Sequence, residues 1–70
     1  MITYKPFWET LKKKGITTYK LINYYEISNS TIQRLRENRG ITTTTIDDFC
    51  KILDCRVEDI VEYVKEESDK

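Results

Sequence analysis

The chain contains no histidine, and only two cysteines, two glycines and one proline among its 70 residues. Without histidine, neither a Ser–His nor a Cys–His nucleophile pair can form, and a four-ligand zinc site would need carboxylates beside Cys50 and Cys55. Gly15 and Gly40 are isolated, which excludes a glycine-rich phosphate loop. We therefore expect no enzyme, no metal and no cofactor, and we expect the two cysteines to be reduced, buried thiols.

Long hydrophobic runs are also missing. No stretch approaches the ~18 apolar residues of a membrane span, and no signal-peptide pattern follows Met1, so we expect a cytoplasmic protein. With 39% hydrophobic and 34% charged residues, the composition is too apolar for a disordered chain. The scarcity of glycine and proline favours helices over hairpins, and the length suits one small domain.

The net charge is zero, with 12 basic and 12 acidic residues, which at first argues against a nucleic-acid partner. The two signs are unevenly distributed, however. Residues 1–40 hold eight basic and three acidic side chains, a net charge of +5, whereas residues 41–70 hold four basic and nine acidic ones, a net charge of −5. This asymmetry predicts an anion-binding N-terminal half, and it makes the acidic half a candidate surface for a protein partner.

Apolar spacing and capping residues predict five helices in a single all-α domain over residues 1–70. The ordered core is expected at about 4–64, followed by a frayed tail at 65–70. The first predicted helix runs from Pro6 to Gly15, the second from Thr18 to Tyr25, and the third from Asn29 to about Asn38. The fourth begins after an N-cap at Thr42 or Thr44. The fifth is indicated by the apolar residues Val57, Ile60, Val61 and Val64.

Residues with local conformational preferences mark the ends of these helices. Thr17 and Ser28 are suited to cap the N-termini of the second and third helices, because their hydroxyl oxygens can accept a bond from an unpaired backbone N–H. Glu26 and Ile27 form the short break between the two helices. Gly40 is expected to end the third helix in a left-handed conformation.

The stretch from Thr18 to Leu35 carries apolar residues at a distinctive spacing. With Thr18 counted as position one, they are at positions 4, 5, 8, 10, 15 and 18, which are Leu21, Ile22, Tyr25, Ile27, Ile32 and Leu35. This spacing resembles the helix-turn-helix of the Cro/phage-repressor-like (XRE) family of DNA-binding proteins. The later segment TIDDFCKILDCRVEDIVEYV also looks like the short, stand-alone bacterial regulators of this family, so that the resemblance covers residues 4–64.

The resemblance implies a five-helix, lambda-repressor-like fold with the helix-turn-helix at helices 2 and 3, and with the polar face of helix 3 in the DNA major groove. Amide side chains can pair with adenine, and arginine with guanine. The residues it implies for reading bases are Asn29, Ser30, Gln33 and Arg34. Those it implies for contacting phosphates are Thr17, Thr18, Thr31, Asn38, Arg39, Thr42 and Thr43.

The chain departs from the family pattern at two positions of the motif. The family often has a small residue at the fifth position and glycine at the ninth, where this chain has Ile22 and Glu26. A left-handed turn at Glu26 would cost on the order of 1 kcal/mol.

The resulting hypothesis is a sequence-specific, double-stranded DNA-binding transcriptional regulator that acts as a repressor and as a homodimer. Helix 5 is the candidate dimer interface, through Ile60, Val61, Tyr63 and Val64, and a short N-terminal strand at Ile2–Tyr4 is the alternative. The rival hypothesis is a protein-interaction module, antitoxin-like or a regulatory subunit, that has the same fold but little DNA binding.

Overall fold

In the computed structural model, which describes residues 1–65, helices dominate, and the predicted all-α class is confirmed. The strands β1 and β2 form an antiparallel pair, with Ile2 opposite Tyr63 and Thr3 opposite Glu62. Apart from Lys65, the predicted frayed tail lies outside the described residues. The elements in chain order are β1 (Ile2–Thr3), α1 (Lys5–Lys14), α2 (Thr18–Asn23), α3 (Asn29–Arg36), α4 (Thr43–Leu53), a 3-10 turn (Val57–Asp59) and β2 (Glu62–Tyr63).

Three helices begin at hydroxyl caps that the sequence predicted. The side chains of Thr17, Ser28 and Thr42 each accept a hydrogen bond from the backbone N–H three residues later, at 3.1 Å, 3.2 Å and 3.1 Å respectively. Each such cap contributes about 1 kcal/mol to helix stability. Of the two candidates for the fourth helix, the structure selects Thr42, and α2, α3 and α4 therefore start where local chemistry places them.

The end of α3 differs from the prediction. The left-handed residue after this helix is Asn38, with φ of 56°, and Gly40 does not have a positive φ. Asparagine tolerates this conformation better than most residues, and here its side chain is also bound, since the Tyr4 N–H donates to Asn38 Oδ1 at 3.0 Å. The Tyr4 hydroxyl donates to the Arg39 carbonyl at 2.7 Å, which holds the following residue against the N-terminus of α1.

The predicted fifth helix is wrong. Residues 57–59 form a single 3-10 turn, and the chain then continues as β2. Of the apolar residues assigned to the helix, Ile60 is fully buried, whereas Val57 is 51% exposed and Val64 is 43% exposed, so they do not share one buried face. The backbone of β2 finds its partners in β1, and Val64 N–H donates to the Met1 carbonyl at 2.7 Å. These bonds replace the intrahelical bonds that a fifth helix would have made.

The N-terminal strand, predicted as an alternative dimer contact, is present as β1, but it pairs within the chain. Its pairing with β2 leaves both strands half-exposed or exposed at their side chains. Strand pairing at this point therefore closes the fold and brings the two ends of the described chain together.

The core connects the four α-helices found in residues 1–65. The Phe7 and Phe49 rings meet edge to face, with centroids 4.9 Å apart, and join α1 to α4. Leu21 of α2 and Leu35 of α3 are fully buried in the same cluster, which fixes these two helices relative to the rest. The side chains with no more than 2% exposure are Phe7, Leu21, Leu35, Phe49, Leu53 and Ile60.

Cys50 and Cys55 are free thiols that pack against the core, and both are half-buried rather than buried. Burial, together with the neighbouring Cys50 sulfur, raises the pKa of the Cys55 thiol to about 11. Because the thiolate is the reactive form, this thiol stays protonated and unreactive at neutral pH. Cys55 therefore contributes to packing rather than to chemistry, and Cys50 packs against the same core.

The turn between α2 and α3 stores backbone strain at Glu26, whose φ is 63°. Glycine has no Cβ to conflict with this conformation, so we expect Glu26→Gly to raise the free energy of unfolding by about 0.5–1 kcal/mol. Urea unfolding followed by circular dichroism measures the change. The matched control is Glu9→Gly at an exposed position inside α1, which should lower stability by roughly 0.5–1 kcal/mol. Equal losses in both variants would show that Glu26 is not strained.

Candidate nucleic-acid interface

The segment α2–turn–α3 forms a rigid two-helix unit. The turn is closed by its backbone, where the Ile27 N–H donates to the Leu21 carbonyl at 2.9 Å. Leu21, Ile32 and Leu35 are buried between the two helices and the rest of the core. Since these contacts use the inner side of α3, its polar side is left facing solvent. This is the arrangement that a helix needs if it is to enter a groove.

The four side chains predicted to read bases are all exposed on α3. Their positions follow the pattern i, i+1, i+4 and i+5, which places them on one side of a helix, away from the buried Ile32 and Leu35. The structure therefore brings together Asn29, Ser30, Gln33 and Arg34. The two amides and the hydroxyl can both donate and accept hydrogen bonds, whereas the guanidinium of Arg34 only donates.

The predicted phosphate-contacting residues near the starts of α2 and α3 already serve the fold. The Thr17 hydroxyl oxygen caps α2, which leaves its hydrogen able to donate to a ligand. Thr18 is half-buried in the first turn of α2. Thr31 is half-buried too, and its hydroxyl oxygen lies 2.9 Å from the oxygen of the cap Ser28.

Of the residues after α3 that were predicted to contact phosphates, two have side chains that form structural hydrogen bonds and two do not cap or close an element. Asn38 uses its side-chain oxygen to bind the Tyr4 N–H, and Thr42 caps α4. Arg39 and Thr43 are exposed. Among these four residues, Thr43 caps no helix, and Arg39 keeps most of its five N–H donors for a ligand, since it gives one to Glu37.

One residue of this surface was missed by sequence reasoning. Glu37, the residue that follows α3, accepts a hydrogen bond from Gln33 Nε2 at 2.7 Å through one oxygen, and from Arg39 Nη1 at 3.1 Å through the other. The bond from Gln33 and then the bond and charge of Arg39 hold the pKa of the Glu37 carboxyl below its usual value. The i, i+4 spacing of Gln33 and Glu37 is the sequence signal that could have revealed the contact.

The side chain of Arg36 contacts α1. Its guanidinium carbon lies 5.3 Å from the centre of the Trp8 ring, within the range of a cation–π contact. Trp8 in turn meets Phe7 edge to face. The contact ties the C-terminal turn of α3 to α1 and supports the position of the candidate surface.

The candidate dimer residues are not equally accessible. Ile60 is fully buried in the core, so it cannot belong to an interface without unfolding, and Val61 is half-buried. Tyr63 in β2 is 70% exposed, and Val64 beside it is exposed as well. Of the four predicted interface residues, Tyr63 and Val64, at the exposed end of the two-stranded sheet, remain accessible to a partner.

Sites of two other kinds are absent from the described part of the chain. Among residues 1–65, no group of three or more histidine, cysteine, aspartate or glutamate side chains is placed to hold a metal ion. Within the same described part of the chain, no helix has the length and apolar character needed to cross a membrane.

Comparisons with known proteins point to one family. Residues 7–66 match the family described as Cro/C1-type HTH DNA-binding domain. The fold is similar to the crystal structure of the transcriptional regulator VanUg, Form II, with a TM-score of 0.83 and 26% sequence identity over 93% of this chain and 87% of that chain. No curated protein matches the chain.

Proposed function

This chain belongs to the Cro/C1-type helix-turn-helix DNA-binding domain family, and we propose that it is a sequence-specific transcriptional repressor that reads the DNA major groove with α3. The observation that carries the proposal is the exposed polar face of α3, which the buried residues Leu21, Ile32 and Leu35 hold in a fixed orientation. Its cytoplasmic location stays a prediction from the sequence.

The reading of bases is assigned to the exposed face of α3. An α-helix with its side chains is about 10–12 Å wide, which matches a major groove about 12 Å wide. Asn29 and Gln33 carry amides that suit adenine, and Arg34 carries a guanidinium that suits guanine. Ser30 lies beside Asn29 in the first turn and can donate or accept at either base pair.

Contacts to the sugar–phosphate backbone are assigned to the polar groups that flank this face. Arg39 and Thr43 follow α3 and are exposed, while the Thr17 hydroxyl lies at the start of α2. Such contacts position the protein and carry no sequence information directly. Thr18, Thr31, Asn38 and Thr42 are assigned secondary contacts, through backbone groups or through the hydrogen-bonding capacity that their structural roles leave unused.

We assign a homodimer to the DNA-bound state. A single helix-turn-helix contacts few base pairs, whereas a two-fold dimer reads two half-sites about 10–10.5 base pairs apart. Tyr63 and Val64, at the exposed end of the sheet, are the residues we assign to the dimer contact. Repression fits this architecture because occupation of the site is sufficient to block access by other proteins.

Selection of bound duplexes from a random double-stranded DNA library tests the proposal. We expect a recovered site with two related half-sites, whose spacing reports the geometry of the dimer. Recovery of a single half-site would contradict the dimer but support base reading. Recovery of no preferred sequence would contradict the function and favour the rival protein-interaction module.

A further inference from the structure

The carboxylate of Glu37 joins two side chains of the candidate surface. It binds the amide of Gln33, which is assigned to a base edge, and the guanidinium of Arg39, which is assigned to the DNA backbone. All three side chains are exposed, so the contacts lie on the face that would approach DNA rather than in the core. The contacts therefore act on side chains that DNA would meet and not on the packing of the core.

The chemistry of the carboxylate fixes the orientation of the Gln33 amide. An ionised carboxylate only accepts hydrogen bonds, so the group of Gln33 that faces Glu37 must be the NH₂ group. Arg39 binds the second oxygen of Glu37 and holds the carboxylate in place. A glutamate carboxyl is ionised at neutral pH, and the two bonds lower the pKa of Glu37 further. Glu37 therefore leaves the Gln33 amide oxygen free to accept a hydrogen bond from a base.

We propose that Glu37 is a specificity-determining residue, which holds the Gln33 amide with its oxygen available to the base edge and so selects bases that present an amino group. In the major groove, adenine and cytosine present such a donor, whereas guanine and thymine present an oxygen at the corresponding place. A glutamine that is free to flip could donate to that oxygen instead. The inference rests on the proposed function, since it needs Gln33 to face a base.

The test compares the base preferences of three proteins by quantitative duplex selection: wild type, Glu37→Gln and Glu58→Gln. Gln33→Ala, measured in the same way, identifies the base pair that Gln33 contacts. Glu58 is the matched control because it is an exposed glutamate on the 3-10 turn, and its replacement removes the same charge. A change in net charge alone shifts affinity for all duplexes alike, so the readout is the preference at the Gln33 position.

We expect wild type and Glu58→Gln to favour adenine or cytosine over guanine or thymine at that position by about tenfold, and Glu37→Gln to reduce this ratio to about twofold or less. A neutral amide at position 37 can accept or donate, so it no longer dictates which end of Gln33 faces outward. Circular dichroism should show an unchanged fold for this exposed position.

Two results would overturn the inference while leaving the proposed function intact. One is a preference of wild type for guanine or thymine at the Gln33 position, and the other is an unchanged ratio in Glu37→Gln. If wild type selects no sequence at all, the proposed function fails and the inference fails with it.

Discussion

Phe49→Ala should lower the free energy of unfolding by about 3–5 kcal/mol and leave much of the chain unfolded at room temperature. Phe49 is fully buried, and its ring packs edge to face on Phe7, so truncation removes both the burial and the contact that joins α1 to α4. At roughly 0.05–0.15 kcal/mol per residue, a chain of this length has little stability to lose.

Urea unfolding followed by the helical circular dichroism signal measures this loss. The matched control is Val57→Ala, because the sequence pattern placed Val57 on the buried face of a fifth helix, whereas the structure leaves it 51% exposed. We expect this control to change stability by no more than about 0.5 kcal/mol. If Val57→Ala lost as much stability as Phe49→Ala, Val57 would have to be buried. That result would favour the predicted fifth helix and contradict the fold described above.

Arg34→Ala should reduce discrimination at one base pair of the selected site by about 1–3 kcal/mol, which corresponds to roughly 5–150-fold in affinity for the preferred base. Arg34 is exposed on α3 beside Gln33, and its guanidinium can bond two acceptors of one guanine. The measurement is the set of dissociation constants for the selected duplex and for its single-base variants.

Lys51→Ala is the control for Arg34→Ala. It removes the same positive charge from an exposed position on α4, where Lys51 pairs with Asp47 at 3.0 Å. We expect this control to weaken binding to all duplexes slightly and equally, with the base preferences retained. If Arg34→Ala kept every base preference of wild type, Arg34 would be a backbone contact or no contact at all.

The parts of the fold that depend on local chemistry were predictable from the sequence. A hydroxyl three residues before the N–H that it caps marks the starts of α2 and α3. It narrows the start of α4 to Thr42 or Thr44, of which the structure uses Thr42. The buried positions of the helix-turn-helix follow from helical spacing in the same way. Leu21, Ile32 and Leu35 are buried as the pattern requires, while Ile22 and Tyr25 are only partly buried.

The errors arise where distant residues decide the local structure. The apolar residues after Arg56 fit a helix, but β1 lies about sixty residues earlier and supplies backbone partners that make a strand of Glu62–Tyr63. Likewise, Tyr4 binds the side chain of Asn38, so the left-handed residue is Asn38 rather than Gly40. Neither contact leaves a signal within a local window of sequence.

In the candidate site, too, the sequence predicts the features that depend on local structure and misses those that depend on side-chain contacts. Helical periodicity is sufficient to expose Asn29, Ser30, Gln33 and Arg34 together, because it fixes the direction of each Cβ. The bonds of Glu37 depend on the side-chain conformations of three exposed residues, which spacing alone permits but does not specify. The structure therefore adds the Glu37 carboxylate, a hydrogen-bond acceptor, to the amide, hydroxyl and guanidinium groups that the sequence predicted for this surface.

Zero net charge is compatible with this account because the charge is partitioned. The half of the chain that contains the helix-turn-helix has a net charge of +5, and the remainder has a net charge of −5. The basic half can attract phosphates, and we propose that the acidic half opposes non-specific attachment or forms a surface for a protein partner.

The most direct test of the central claim, that α3 gives sequence-specific DNA binding, is a pair of titrations with the selected duplex and with a scrambled duplex of the same composition, at about 50 and 200 mM salt. We expect the selected duplex to bind about a thousandfold or more tightly than the scrambled one, and both affinities to fall as salt rises. Equal affinities for the two duplexes, or affinities that do not change with salt, would contradict it.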